Sequence, residues 1–202
     1  MPPTPLLLLA SASPRRREIL RTLGLPFEAA AVEADEAELP SEAPEPYLVR
    51  VVDEKLRLAE PLRAARGLGA VLVADTTVVL EGRMLAKPRD EDDNRAMVSA
   101  LAGKRHHVFT RFAARSAEGQ IRARTVVTAV SVRDLSGDEV RRYVASGEGR
   151  DKAGGYAIQG LGSFAVTGIE GSYSNVVGLP ACEVVLALRE LGVLGAFPFA
   201  AP

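Results

Sequence analysis

Asp75 is the residue least in keeping with its neighbours. It interrupts Val71-Leu72-Val73-Ala74-Asp75-Thr76-Thr77-Val78-Val79-Leu80, a run otherwise suited to a buried strand. A carboxylate buried without a partner is too costly to persist, so Asp75 needs a metal, a cation or water. Glu81-Gly82-Arg83 reads as a turn, and the chain returns through Met84-Leu85-Ala86-Lys87-Pro88. Folding about Gly82 sets Lys87 opposite Thr77, or a residue either side, according to loop length. In the first register Asp75, Thr77 and Lys87 share a sheet face; a slip of one residue moves Lys87 to the other face. A carboxylate there can bind Mg²⁺ or activate water while the ammonium holds a phosphate. The alternative is a buried Asp–Lys pair with no chemistry.

A second unusual segment is Ser11-Ala12-Ser13-Pro14-Arg15-Arg16-Arg17, where a strand turns into a helix. Ser13 suits the N-cap and Pro14 the first helical position. The first turn of a helix prefers acids, because its unpaired N–H groups carry partial positive charge. Here it holds three arginines, and the acid that would complete a capping box at Arg16 is missing. A phosphate chain would reverse the mismatch, since the helix-end N–H groups, the Ser11 and Ser13 hydroxyls and the guanidinium forks would all face one anion. Successive helical residues point about 100° apart, so at most two of the arginines serve it: Arg15 and Arg16, with Arg17 in solvent. The alternative is an exposed helix start whose arginines pair with the acidic residues of 33–45.

Basic-residue usage adds to this. The chain has four lysines against twenty-one arginines, so each lysine marks a place where a compact ammonium is favoured over a guanidinium. Three of the four, Lys55, Lys87 and Lys152, fall in segments singled out on other grounds. The net charge of −1 gives no field that draws DNA, RNA or anionic lipid, so any anionic partner must be held by a local cluster.

The elements that must position these residues alternate. Leu6–Ala10 reads as a buried strand; its apolar run is too short, and lacks the basic start, for a signal peptide. A helix over Pro14–Leu23 closes at Gly24, and Phe27–Val32 is a second strand. The acidic stretch from Glu33 to Pro46 reads as a solvated loop. Then follow a helix over Tyr47–Ala65, the strand Ala70–Leu80, a helix over Asp90–Leu101, and paired strands His106–Ala114 and Ile121–Val132. A helix starts at Leu135-Ser136-Gly137 and reaches Ser146; residues 151–180 are glycine-rich; Pro180 begins a last helix to Leu191. This order predicts an α/β (mixed α+β) fold with a mixed sheet. At 202 residues the chain fits one domain, 1–202, with an ordered core over about 6–192 and a loose tail over 195–202. One cysteine, Cys182, excludes an internal disulfide framework, and a reducing, cytoplasmic setting is expected. No stretch approaches the roughly 20 apolar residues of a membrane span.

Asp151-Lys152-Ala153-Gly154-Gly155-Tyr156-Ala157-Ile158-Gln159-Gly160 opens a segment with seven glycines by residue 178, which lets backbone N–H groups approach a ligand. Together with Leu9-Ala10-Ser11-Ala12-Ser13-Pro14-Arg15-Arg16, Glu54-Lys55, Ala74-Asp75-Thr76, Ala86-Lys87-Pro88 and Ser172-Tyr173-Ser174-Asn175-Val176-Val177-Gly178-Leu179-Pro180, it resembles the Maf nucleotide-pyrophosphatase family in order and spacing, over residues 6 to about 192. The resemblance implies an elongated, twisted mixed sheet flanked by helices, in two lobes around a cleft, similar to inosine-triphosphate pyrophosphatases. It implies a hydrolase acting on acid anhydrides, which cleaves nucleoside triphosphates between the α and β phosphates with a divalent cation, Mg²⁺ or alternatively Mn²⁺ or Co²⁺. By position, Asp75 matches the catalytic acid, and Asp75 with Glu36 the metal-side acids. Ser11, Ser13, Arg16, Lys55, Lys87 and Lys152 fall on the phosphate side; Arg15, Thr76 and Gln159 match the specificity positions of the dTTP/UTP branch. The branch acting on 7-methyl-GTP has Gln where this chain has Thr76.

Small-molecule nucleoside triphosphates are therefore the expected partners, with modified pyrimidine nucleotides as further substrates and a homodimer left open. The rival readings are a non-catalytic nucleotide-binding regulator of septum formation and a pyrophosphatase of the 7-methyl-GTP branch. Nucleic-acid binding is disfavoured by the net charge and by the lack of a second basic patch. His106 and His107 are adjacent and face opposite ways on a strand, as ordinary surface or half-buried histidines and not one zinc site. Cys182 reads as a small apolar filler near a helix start, and Phe197 and Phe199 as tail residues that dock on the protein, on a partner subunit or nowhere.

Overall fold

The computed structural model of the chain describes residues 6–198. Strands β1 (Leu7–Ala10), β2 (Phe27–Ala30), β3 (Ala70–Leu80), β5 (Arg105–Ser116), β6 (Ile121–Val132) and β7 (Val166–Glu170) form one sheet in the order β2-β1-β3-β5-β6-β7, and β4 (Arg83–Leu85) pairs with β3. β1 runs parallel to both β2 and β3, while β3–β4 and β6–β7 are antiparallel, so the sheet is mixed as expected. Parallel neighbours need crossovers, and helices α1 (Pro14–Thr22) and α2 (Pro44–Ala65) supply them. The chain divides into two compact units, one holding residues up to 75, 110–125 and from 178 on, the other 76–109 and 126–177.

In the first unit both faces of the sheet are covered, which explains why β1 and the first half of β3 read as unbroken apolar runs. Leu7, Leu9, Ala70, Leu72, Ala74, Phe112 and Ala114 pack with Leu20 of α1 and with Val184, Val185 and Leu188 of α6 (Ala181–Glu190). The alternate residues Leu8, Ala10, Val71, Val73 and Ala113 pack with Val52, Leu56 and Ala59 of α2. The period of two puts Asp75 on the same face as Val71 and Val73, the face that α2 covers. Helix α2 begins at Pro44, three residues before the expected Tyr47, with Pro44 at the first helical position and Glu45 in the first turn. Phe197, in the tail expected to be loose, packs against the first of these clusters; Phe199 lies outside the described residues. Cys182 corrects the sequence reading, since it is exposed on the first turn of α6 and fills no core position.

In the second unit, α3 (Glu91–Leu101) starts at Asp90, whose carboxylate accepts from Asp93 N at 2.7 Å. Helix α4 (Gly137–Ala145) has a full capping box between Ser136 and Glu139. The β3–β4 hairpin turns on Glu81 (φ 50°) and Gly82 (φ 81°), the two positive-φ positions that a two-residue hairpin turn requires. Leu80 then faces Arg83 and Val78 faces Leu85, where the ladder ends. Continued further, this register would put Lys87 beside Thr76, one residue from the first of the expected alignments. The glycine-rich segment is more ordered than its composition implies. It holds 3₁₀ turns at Ala153–Gly155 and Gly160–Ala165, strand β7 and a short helix, α5 (Tyr173–Val177).

His107 is exposed, as alternation requires, but His106 is wholly buried where a surface or half-buried ring was expected. Its Nε2 lies 2.7 Å from Tyr156 Oη, and Nδ1 has no partner among the described residues. Burial, with a smaller contribution from the neighbouring His107, pushes its pKa down to about 4. The unfolded chain therefore binds the proton first. The contribution to stability is complete above pH about 6.5 and is lost as pH falls through the window down to about 4. Between pH 7 and 5 this group should remove about 2 kcal/mol. Urea unfolding of wild type and His106→Gln across that range measures it: the variant should show a shallower pH slope, and equal slopes would contradict the assignment.

Candidate active site

The carboxylate expected to need a partner has one. Lys55 Nζ lies 2.7 Å from Asp75 Oδ1 and 2.6 Å from Glu36 Oε1, so one ammonium holds both acids. Asp75 and Lys55 are buried, whereas Glu36 is partly open to solvent. The helix provides this: Val52, Leu56 and Ala59 of α2 pack on the Asp75 face of the sheet, and Lys55 belongs to the same stripe, three residues after Val52. The cation that Asp75 needs is thus Lys55, brought by α2 from twenty residues earlier in the chain.

Glu36 is presented by the acidic segment, which is not simply solvated. Arg50 of α2 donates to Glu42 through Nε at 2.8 Å and Nη2 at 2.7 Å, and to the carbonyls of Asp35 and Ala37. That paired guanidinium pushes the Glu42 carboxyl down to about 2. Tyr47 Oη donates to the Glu36 carbonyl at 3.2 Å. Burial, together with Asp75 and Glu36 nearby, raises its pKa, so the phenol stays a donor. Tyr47, Arg50 and Lys55 of α2 hold the segment at three points. Neither Tyr47 nor Arg50 was expected to bear on the site. The signal was an arginine shortly after a run of acids too dense to be left unpaired.

The Ser-Pro-Arg turn forms as expected in outline. Ser13 caps α1, with its hydroxyl a long 3.5 Å from Arg16 N, and Ser13 N donates to Ser11 Oγ at 3.2 Å. Arg16 differs from an outward fork. It is buried; Nε donates to the Gly178 carbonyl at 2.8 Å, and Nη1 to the Ala74 carbonyl at 2.8 Å and to Ser11 Oγ at 3.2 Å. Its guanidinium thus ties the turn to the residue before Asp75. Burial lowers its pKa, opposed by the charges of Asp75 and Glu36. Arg15 is half-buried in the same turn. Arg17, expected in solvent, is instead half-buried, because Nη2 folds back onto the Ser11 carbonyl at 3.3 Å.

The remaining candidates belong to the second unit. Thr76 is half-buried in β3, and Lys87 is exposed just after β4. Lys152 Nζ donates to the Glu148 carbonyl and to Asp151 Oδ1, both at 2.5 Å. Gln159 is exposed at the start of the second 3₁₀ turn, and its side chain caps nothing there.

The shared ammonium makes an asymmetric prediction. Lys55→Met leaves Asp75 buried without its cation and should cost about 3–5 kcal/mol. Asp75→Asn leaves Lys55 with Glu36 and should cost under about 2 kcal/mol. Urea denaturation of both variants checks the order; a Lys55→Met protein as stable as Asp75→Asn would contradict the pairing.

A sequence profile of the family described as Maf-like protein matches residues 6–191. A protein of Hahella chejuensis named dTTP/UTP pyrophosphatase is 46% identical over 187 residues, covering 93% of this chain and 92% of that one. A protein of the same name from Anaeromyxobacter dehalogenans is 48% identical over 191 residues, covering 93% and 95%. Among solved structures, the Staphylococcus aureus Ham1 protein aligns with a TM-score of 0.41 and 11% identity over 63% of this chain and 72% of that one, too slight a likeness to bear on the site. The profile spans nearly all the described residues, and on that ground the chain belongs to the Maf-like protein family.

Proposed function

We propose that this protein hydrolyses dTTP and UTP to the monophosphate and pyrophosphate, and accepts modified pyrimidine nucleotides as further substrates. The names of its relatives support the substrate class. The observation that carries the chemistry is the placement of Asp75 against Lys55 and Glu36. A buried ion pair that is only structural could be replaced as a pair by well-packed apolar residues at little cost or with a gain in stability, so a pair kept there asks for another reason.

Asp75 is the proposed general base. Lys55 fixes one of its oxygens, which sets the rotamer of the carboxylate and leaves it preorganised to orient or deprotonate a water that attacks the α-phosphorus. Ser11 and Ser13, with the N–H groups that open α1, make the phosphate-facing turn, and Arg16 adds positive charge from behind it. Lys87 and Lys152 are proposed to neutralise the departing pyrophosphate, and Arg15, Thr76 and Gln159 to select the base. Gln159 has an acceptor and two donors, which suit the imide edge of thymine or uracil.

The acids fit a divalent cation. Glu36 and Asp75 give two hard oxygen donors that Lys55 already holds near each other, and Mg²⁺ is commonly bound by one or two carboxylates with water and substrate phosphates. Mg²⁺, or alternatively Mn²⁺ or Co²⁺, is the proposed ion, with substrate phosphates and water completing its coordination. When bound, the ion would neutralise phosphate charge and polarise the phosphoryl group.

Two measurements test this reading. With Mg²⁺, kcat/KM for dTTP and UTP should exceed that for ATP, GTP and 7-methyl-GTP by roughly tenfold or more, since a pocket that hydrogen-bonds its base leaves polar groups unpaired with the wrong one. A preference for a purine triphosphate would refute the branch. Asp75→Asn should keep its fold and lose roughly 10² to 10⁴ in turnover. Near-normal turnover would remove Asp75 from the mechanism.

A further inference from the structure

Gln159 stands on a segment held from both sides by one pair of side chains. Tyr143 of α4 is buried; its hydroxyl accepts from Ala157 N at 3.0 Å and donates to Glu148 Oε2 at 3.1 Å. The two oxygens of Glu148 accept in turn from Leu161 N and Gly162 N, each at 2.8 Å. The backbone is therefore fastened two residues before Gln159 and two and three residues after it, while the Gln159 side chain remains exposed. A carboxylate on two N–H groups at the start of a 3₁₀ turn is a charge-assisted contact, stronger than an amide–amide bond.

The glycines on either side belong to this clasp. A Cβ at Gly160, where φ is +73°, would meet Glu148 Oε1 at 2.2 Å. One at Gly162 would meet the Ala157 carbonyl at 2.1 Å and Tyr143 Oη at 3.0 Å. Only glycine lets the backbone lie this close to the pair. Glu148 also accepts from Lys152 Nζ through its backbone carbonyl.

We propose that Tyr143 and Glu148 are positioning residues for Gln159, which hold its backbone so that the amide meets the base already in place. This rests on the reading of Gln159 as the base-selecting residue. A polar group fixed before binding loses less freedom on binding, so its hydrogen bonds count more fully toward affinity and discrimination. Loss of the clasp should then weaken base recognition and leave the chemistry at Asp75 in place.

The test is a double-mutant cycle read as kcat and KM separately, for dTTP and GTP with Mg²⁺, in Glu148→Ala, Gln159→Ala and the double variant. Tyr143→Phe, which removes one hydroxyl and nothing else, is measured beside them so that the test survives poor folding of Glu148→Ala. We expect Glu148→Ala to raise KM for dTTP roughly tenfold with kcat within about threefold, and to shrink the dTTP-over-GTP preference as Gln159→Ala does. Tyr143→Phe should move both in the same direction by less. In the Glu148→Ala background, Gln159→Ala should add less than about twofold, because both changes remove one interaction. Independent, multiplying losses would overturn the proposal, as would a fall in kcat with KM and preference unchanged. If Gln159→Ala alone leaves the base preference intact, the reading of Gln159 fails first, and that result is distinct from the others.

Discussion

An aspartate on a core-facing position of a buried strand imposes a demand that the rest of the first unit meets. Alternation along β3 points Asp75 toward the helix that covers Val71 and Val73, and nothing on an apolar helix face could satisfy it. Lys55 answers from within the apolar stripe of α2, and its ammonium has capacity for a second acid. Glu36 takes it, and this draws in an acidic segment that would otherwise repel itself. Tyr47 and Arg50, earlier on the same helix, keep the segment where Glu36 can reach. The helix that crosses from β2 to β3 thus also assembles the acid pair.

The arginine-rich turn is organised by a comparable constraint. Three arginines at a helix start oppose the partial charge of its N–H groups, and the fold reduces the conflict by turning two of them inward. Arg16 spends its donors on the carbonyls of Ala74, midway along β3, and of Gly178, and Arg17 on the Ser11 carbonyl. Burying Arg16 without a carbonyl lining would be costly, so these contacts also fix the start of α1 against the middle of β3. The Ser11 hydroxyl is thereby tied through Arg16 to the carbonyl of Ala74, the residue before Asp75.

Much of this was legible in the residues. The full extent of β3 follows from its apolar run, and the starts of α3 and α4 from Asp90 and Ser136, because these signals are local. The need of Asp75 for a partner was also legible, but its identity was not, since Lys87 is near in sequence and Lys55 is brought by a crossover. Combining the parity of β3 with the 52–55–56–59 stripe of α2 would have found it, once α2 is known to cover that face. The hairpin register depended on one residue of loop length, and the two-residue turn at Glu81–Gly82 decided it. Arg17, Cys182 and His106 were misjudged for one reason: exposure of a single side chain depends on tertiary neighbours and leaves little trace in local pattern. The clasp on Gln159 was equally hidden, although Gly160 and Gly162 were its visible cost.

The central claim is that this acid pair serves attack by water on the α-phosphorus. A single turnover of dTTP with Mg²⁺ in ¹⁸O-labelled water, followed by mass spectrometry of the products, tests it most directly. The account predicts one labelled oxygen in the thymidine monophosphate and none in the pyrophosphate. Label in the pyrophosphate, or release of diphosphate and orthophosphate, would contradict it.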